Sequence, residues 1–443
     1  ICKKLPSPSE RVFFYNIFAI KNIKMKNLLP KIIIGIYFVV LFLPPLGDMI
    51  LDIKTLRLFV YSILNTVSIV YILSDESHNS VLSKIIKDKL SLIIIAFISW
   101  GLLSLTYAFN KTEVIVRIFS FVNFYMTYLV MAVLLKSVSF KFISYFFSFL
   151  LLAQVSVSLN QFDTLTTLRN YDFSMNSKII GIFANRNITA AIYLIQLPFL
   201  IYFIKELKNK FFKVVLFCLG LVVMYIIFLL ASRTSYVVIT VLLSANILFY
   251  LISKRKLKAF FKSFSGYLTL IILIGIAITY LSLGSENNAT PINRIQTIEI
   301  EETSTNTRLR YYTFGIKDFV SNPIIGYGLG NFKIISIERD KENINSYTVP
   351  YVMHNDFLEV AVELGIIGLA LFLLIFIYPV YDLFNKLKIK NIKPEHIVLL
   401  SSLIVYIADS NLNFPFTRAS SLLYLAFILA SLQNYLNPKS NKS

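Results

Sequence analysis

His354 lies in the stretch Met353-His354-Asn355-Asp356-Phe357-Leu358-Glu359, eleven residues before Gly365, at the mouth of an apolar run that carries Gly368 one turn further in. A neutral imidazole, with an unperturbed pKa of about 6.5, is the usual general base at neutral pH. A headgroup-level histidine with no chemistry fits the same position. Upstream, Arg308-Leu309-Arg310 opens a segment in which Leu309, Tyr312, Ile316 and Phe319 recur at helical spacing until Asn322-Pro323 ends it. Two cations at a helix start oppose the positive end of its dipole unless an anion binds between them; a solvated helix start is the alternative. Arg233, in Ala231-Ser232-Arg233-Thr234-Ser235, reads either as an interfacial arginine reaching headgroups or as a phosphate clamp using its planar fork. Glu359 and Glu363, four apart, share a helix face, which in lipid requires that they line a cavity or meet arginines. Gly326-Tyr327-Gly328-Leu329-Gly330 has no Lys-Ser or Lys-Thr after it and reads as a turn, not a phosphate loop.

These residues must be positioned by membrane helices. Of 443 residues, 56% are hydrophobic and 15% charged, more apolar surface than a soluble core can hide. The fold class is therefore all-α, a polytopic membrane protein of about 12 transmembrane helices with a large, partly helical outward loop. The expected spans have cores at 29–46, 56–73, 90–109, 118–135, 142–159, 188–204, 214–230, 236–252, 267–283, 364–380, 397–408 and 419–436. Segment 1–28 is expected to be cytoplasmic, with Met25 a candidate natural start, and 437–443 to be a cytoplasmic tail. Pro44-Pro45 reads as the terminator of the first span. The net charge of +19 is the lysine of alternate short loops, the positive-inside pattern, and implies no nucleic-acid partner. It places both termini in the cytoplasm and the loop 284–353 outside, with Asn287, Asn288 and Asn293 marking a mobile first part. His354 then becomes the one outward histidine of three, His78 and His396 falling in cytoplasmic loops. Cys2 and Cys218 suggest no disulfide framework, and one outward histidine without a nearby cysteine makes a poor metal site, so none is expected.

The spacing His354-Asn355, nine residues, Gly365, two residues, Gly368 resembles the pattern of the bacterial O-antigen ligases and related lipid-linked polysaccharide polymerases. Arg308 followed by Tyr312, Pro323, Gly326, Gly328 and Phe332 is a second match, and Ser232-Arg233 and Gly181-Ile182-Phe183 with Asn187 are weaker echoes. The resemblance covers about the C-terminal two thirds of the chain in motif order. It implies a multi-span glycosyltransferase of the bacterial inner membrane that needs no cofactor or metal and works at the periplasmic face. The implied donor is an undecaprenyl-diphosphate-linked glycan, and the acceptor hydroxyl belongs to a glycan, lipid A-core or another molecule. Carried over by motif, Arg233 and Arg308 would hold the diphosphate and His354 would activate the acceptor. Arg310, Arg186, Asn355 and Glu359 complete the implied substrate-binding set, although Arg186 stands where an apolar residue or proline is expected. A polymerase of the same family is the runner-up. A polysaccharide or lipid transporter is the alternative from another class, disfavoured because charge gathers at the outer ends of the spans and not at their middles.

Overall fold

The computed structural model describes residues 28–43, 53–167, 175, 178–253, 257–283, 303–343, 351–387 and 391–435. Met25 and the segment before it, Pro44-Pro45, the asparagine-rich part of the outward loop and the tail 437–443 lie outside the described residues. The chain is all-helical. Its elements are α1 (Leu28–Phe42), α2 (Ile53–Ser74), α3 (Glu76–Ile86), α4 (Lys89–Leu103), α5 (Lys111–Leu134), α6 (Phe140–Thr167), α7 (Arg186–Glu206) and α8 (Lys210–Leu229). Then follow α9 (Arg233–Ile252), α10 (Phe264–Leu283), α11 (Thr303–Ser321), α12 (Phe332–Asp340), α13 (Asp356–Lys386), α14 (Pro394–Ser410) and α15 (Ala419–Tyr435).

Each of the twelve apolar runs read from the sequence falls on a helix. Among the described residues, nine helices are long and apolar enough to cross a membrane, so the count of twelve is not established. The remaining three are α1 and the two 17-residue helices α14 and α15. At about 1.5 Å rise per residue, 17 residues span less than the ~30 Å of hydrocarbon. Both are largely enclosed by protein: α15 packs on α5, and α14 on α7 and α9. The α2–α4 connection, expected as a loop, holds the amphipathic α3, which Asp75 caps through Ser77 and His78 and which buries Leu82 and Ile85.

Chain direction alternates so that α7, α9, α13 and α15 begin at one end of the bundle, where Arg186, Arg233, His354 and Arg418 stand. Lysine-bearing connections gather at the other end. There Tyr202 donates to Glu395, and Tyr435 donates to the Val138 carbonyl and accepts through its own carbonyl from the His396 ring.

The segment expected to form an outward cap differs from expectation in two ways. Helix α11 begins at Thr303, not at Arg308, so the arginines stand more than a turn inside it and the proposed conflict with a helix start does not arise. Its apolar stripe is also divided. Tyr312 and Phe319 pack inward on a small cluster of Tyr311, Phe332, Met353 and Val362, whereas Leu309 and Ile316 are exposed.

Helix α13 is interrupted at Gly365, whose φ of 65° and ψ of −166° break the helix where an uninterrupted apolar run is read from sequence. The backbone groups freed by the break find partners in sequence-distant segments. The carbonyls of Val362 and Glu363 accept from Tyr327 and Gly328, the Leu364 carbonyl accepts from Trp100 Nε1 at 3.0 Å, and Ile366 donates to Pro323 at 2.8 Å. The glycine-rich turn therefore serves the helix break. Three of its glycines have positive φ, and it rests on the α4–α5 connection, where Tyr107 donates to Ile325 and the Asn331 side chain pairs with the Asn110 backbone. A Cβ at Gly365 would collide with the Ile324 carbonyl in addition to the strain of positive φ. Gly365→Ala is expected to destabilise the fold by at least about 1–3 kcal/mol, read as a lowered Tm of the detergent-solubilised protein. An unchanged Tm would mean that the break is not needed.

Candidate active site

His354 is held in a left-handed conformation, φ 61°, unfavourable for a residue with a Cβ, and hydrogen bonds fix its own carbonyl and the amide of Met353 before it. Tyr312 Oη donates to the His354 carbonyl at 3.0 Å, and the Met353 amide donates to Glu359 Oε2 at 2.9 Å. The ring packs edge-on against Phe414, 4.9 Å between centroids, and its Nδ1 is buried without a hydrogen-bond partner among the described residues. Burial pushes the imidazole pKa down to about 4, and the charges of Arg308 and Arg418 add to that effect. Desolvation and neighbouring cations thus favour the neutral imidazole.

Three arginine-bearing segments converge on the turn between α14 and α15. The α8–α9 break, where Ala231 has φ 45° and Ser232 caps α9, puts Arg233 at its first helical position. Thr234 of that break accepts from the Asn413 side chain. From α11, Arg308 donates to the Leu412 carbonyl at 3.3 Å. Burial is the main reason its pKa is lowered, and the nearby Arg233 charge adds to it. From the turn itself, Arg418 lies over the Phe414 ring at 4.8 Å, next to His354. Asp356, buried at the start of α13, accepts from the Phe416 amide at 3.0 Å and locks the turn to the segment that carries His354.

Several cations around one half-buried imidazole favour an anion: their mutual repulsion falls when negative charge enters, and guanidinium forks suit phosphate oxygens. Among the described residues, no group of three or more His, Cys, Asp or Glu side chains is placed to hold a metal ion.

The other sequence candidates divide by position. Arg310 shares α11 and lies near the Tyr311 ring at 5.9 Å. Arg186 opens α7 at the same end of the bundle, after the cap residue Asn185. Asn355 is the N-cap of α13, its Oδ1 accepting from the Leu358 amide. Glu359 is buried against Arg117, which donates to its Oε1 at 2.8 Å. Glu363 accepts from the Phe332 amide at the start of α12, where the helix dipole favours a carboxylate. The glutamates do face the protein interior and meet an arginine, but that arginine is Arg117 of α5, which sequence reasoning did not single out. Phe414 and Asp356 were missed likewise. Arg418 was visible only as one of several arginines in outward loops.

The charges near His354 give a direct test. Arg418→Gln removes a neighbouring positive charge and is expected to raise the His354 pKa from about 4 toward the ordinary range, as read by NMR titration of labelled histidine in a His78→Gln/His396→Gln background. A pKa that does not rise would separate Arg418 from the site.

Residues 216–373 match the sequence model of the O-antigen ligase family. A protein of Rickettsia typhi named "Putative polysaccharide ligase" is 30% identical over 182 residues, 40% of this chain and 42% of that protein. Similarly named proteins of Rickettsia conorii and Rickettsia felis are 36% and 33% identical over 91 and 90 residues, each covering 19% of this chain and 22% of the relative. The chain thus aligns with less than half the length of these relatives. The matched segment carries Arg233, Arg308 and His354, and the family whose model matches it is the one that the motifs resemble.

Proposed function

We propose that the chain is an O-antigen ligase-like glycosyltransferase in cell-surface polysaccharide synthesis, moving a glycan from a polyprenyl diphosphate to an acceptor hydroxyl at the periplasmic face of the bacterial inner membrane. The observation that carries this reading is the gathering of Arg233, Arg308 and Arg418 around the neutral, partly enclosed His354. Negative charge builds on the diphosphate as the glycosyl bond breaks, and fixed cations in a partly dry site stabilise it most when they need no reorganisation. His354 takes the proton of the acceptor hydroxyl as the new glycosidic bond forms, and the lipid diphosphate departs. A pKa lowered to about 4 makes His354 a weak base. Bound diphosphate offsets the arginine charges and brings the pKa back toward its ordinary range, so the base gains strength when donor is present. Arg310, on the same helix as Arg308, and Arg186, at the start of α7, are further candidates to meet the donor.

Purified His354→Ala and His354→Gln variants, given a polyprenyl-diphosphate-linked oligosaccharide, are expected to lose roughly 10²- to 10⁴-fold in turnover while retaining donor binding. Near-normal turnover would reject the base, and parallel loss of binding would make His354 a donor ligand. Arg233→Lys and Arg308→Lys should lose activity with expression intact, because lysine lacks the fork.

Orientation is tested separately. With Cys2 and Cys218 replaced, Asn411→Cys is expected to react with an impermeant thiol reagent in cells with a permeabilised outer membrane, and Lys136→Cys is not. The reverse pattern would turn the site toward the cytoplasm.

A further inference from the structure

A cavity of about 320 Å³ lies beside the His354 segment among α2, α5 and α15 and the start of α13. Arg233, Arg308, His354 and Arg418 are not among its lining residues, yet Tyr351 and Val352 from just before Met353, and Thr417 and Ala419 from either side of Arg418, are. The two sites therefore share their dividing wall.

The wall chemistry of this cavity differs from that of the arginine site. Its charged groups come as opposed pairs: Arg117 with Glu359 at 2.8 Å and Lys333 with Glu113 at 2.6 Å, while Glu363 accepts from the Phe332 amide. A cavity whose cations are already neutralised offers little to a diphosphate. It offers donors and acceptors side by side, joined by the hydroxyls of Ser120 and Thr417 and by the Tyr351 ring, which is 60% exposed. Alternating fixed donors and carboxylate acceptors beside an open aromatic face match a neutral polyol, whose hydroxyls each give and take a hydrogen bond.

We propose that this cavity binds a saccharide of the acceptor, an assignment that rests on the glycosyl-transfer reading above. The donor's first sugar is tied to its diphosphate and so remains with the arginines, which leaves the neighbouring cavity for the second glycan. Glu359 links the two sites. One carboxylate oxygen faces Arg117 on the cavity wall and the other holds the Met353 amide, next to His354. A sugar hydroxyl that engages the Arg117–Glu359 pair thereby steadies the backbone carrying the base, which makes Glu359 a positioning residue.

Protection of single cysteines tests the assignment in the purified full chain, with Cys2 and Cys218 replaced by serine. Ser120→Cys reports on the cavity, and Asn411→Cys, beside the Leu412 carbonyl that Arg308 contacts, reports on the arginine site. N-ethylmaleimide reaction rates are measured with inorganic diphosphate and with a panel of methyl glycosides of hexoses, N-acetylhexosamines and uronic acids. At least one glycoside is expected to slow Ser120→Cys threefold or more in a saturable manner, and to lose that effect when Arg117→Gln is added. Diphosphate is expected to slow only Asn411→Cys. Failure of every glycoside, or protection of Ser120→Cys by diphosphate in place of glycosides, would overturn the saccharide assignment. Failure of diphosphate at Asn411→Cys would instead strike the donor reading and leave the cavity result standing.

Discussion

The break in α13 at Gly365 is the constraint on which the site depends. An unbroken helix satisfies its own backbone, whereas a broken one at membrane depth must find partners in protein, because lipid supplies none. Here those partners are Trp100 of α4, Pro323 at the end of the cap helix, and Tyr327 and Gly328 of the glycine-rich turn. Meeting them docks the cap on the bundle. It also sets the first turns of α13 apart from the apolar remainder, so that Asp356, Glu359 and Glu363 point at the Phe416 amide, Arg117 and the Phe332 amide respectively. Buried carboxylates without such partners would be costly at this depth.

The same partners determine where His354 can be. A positive φ on a residue with a Cβ persists only if the surroundings over-determine it, and here Tyr312 holds the peptide after His354 while Glu359 holds the amide of Met353, the residue before it. Asp356 fixes the turn that presents Phe414 and Arg418 to the imidazole. Cap, α13 and the α14–α15 turn therefore act as one rigid support, and arginines from three separate segments meet over it. Their mutual repulsion falls when negative charge enters, which is why the arrangement suits an anion.

Much of this was legible in sequence, for identifiable reasons. A spanning helix needs a long apolar run, and that signal is strong enough that every run read from sequence is a helix, even α14 and α15, which are short for a full crossing. His354 could be singled out because few histidines compete with it and lysine sorts the loops by side. The start of α11 was misread because Arg308 is the first conspicuous residue, while the polar turn before it, Thr303 to Thr307, carries no apolar period to mark it as helix. The division of its stripe follows from where Met353 packs: Gly315 lets Met353 approach closely, which centres the buried face between Tyr311 and Phe319 and leaves Leu309 and Ile316 exposed. Arg117 was invisible because its partner is 242 residues away and nothing local distinguishes it from an arginine near a helix end.

The break at Gly365 shows where sequence reasoning stops. A glycine inside an apolar run is compatible with close helix packing, with a kink, or with a full interruption, and local propensity does not separate them. The deciding information lies in Trp100, Pro323 and the glycine-rich turn, each of which has a bland reading of its own. Taken together they supply the donors and the acceptor that the interrupted backbone lacks. The motif glycine is thus explained by its distant partners, and the break sets apart the first turns of α13, which follow the segment where His354 meets arginines from the cap and from the turn between α14 and α15.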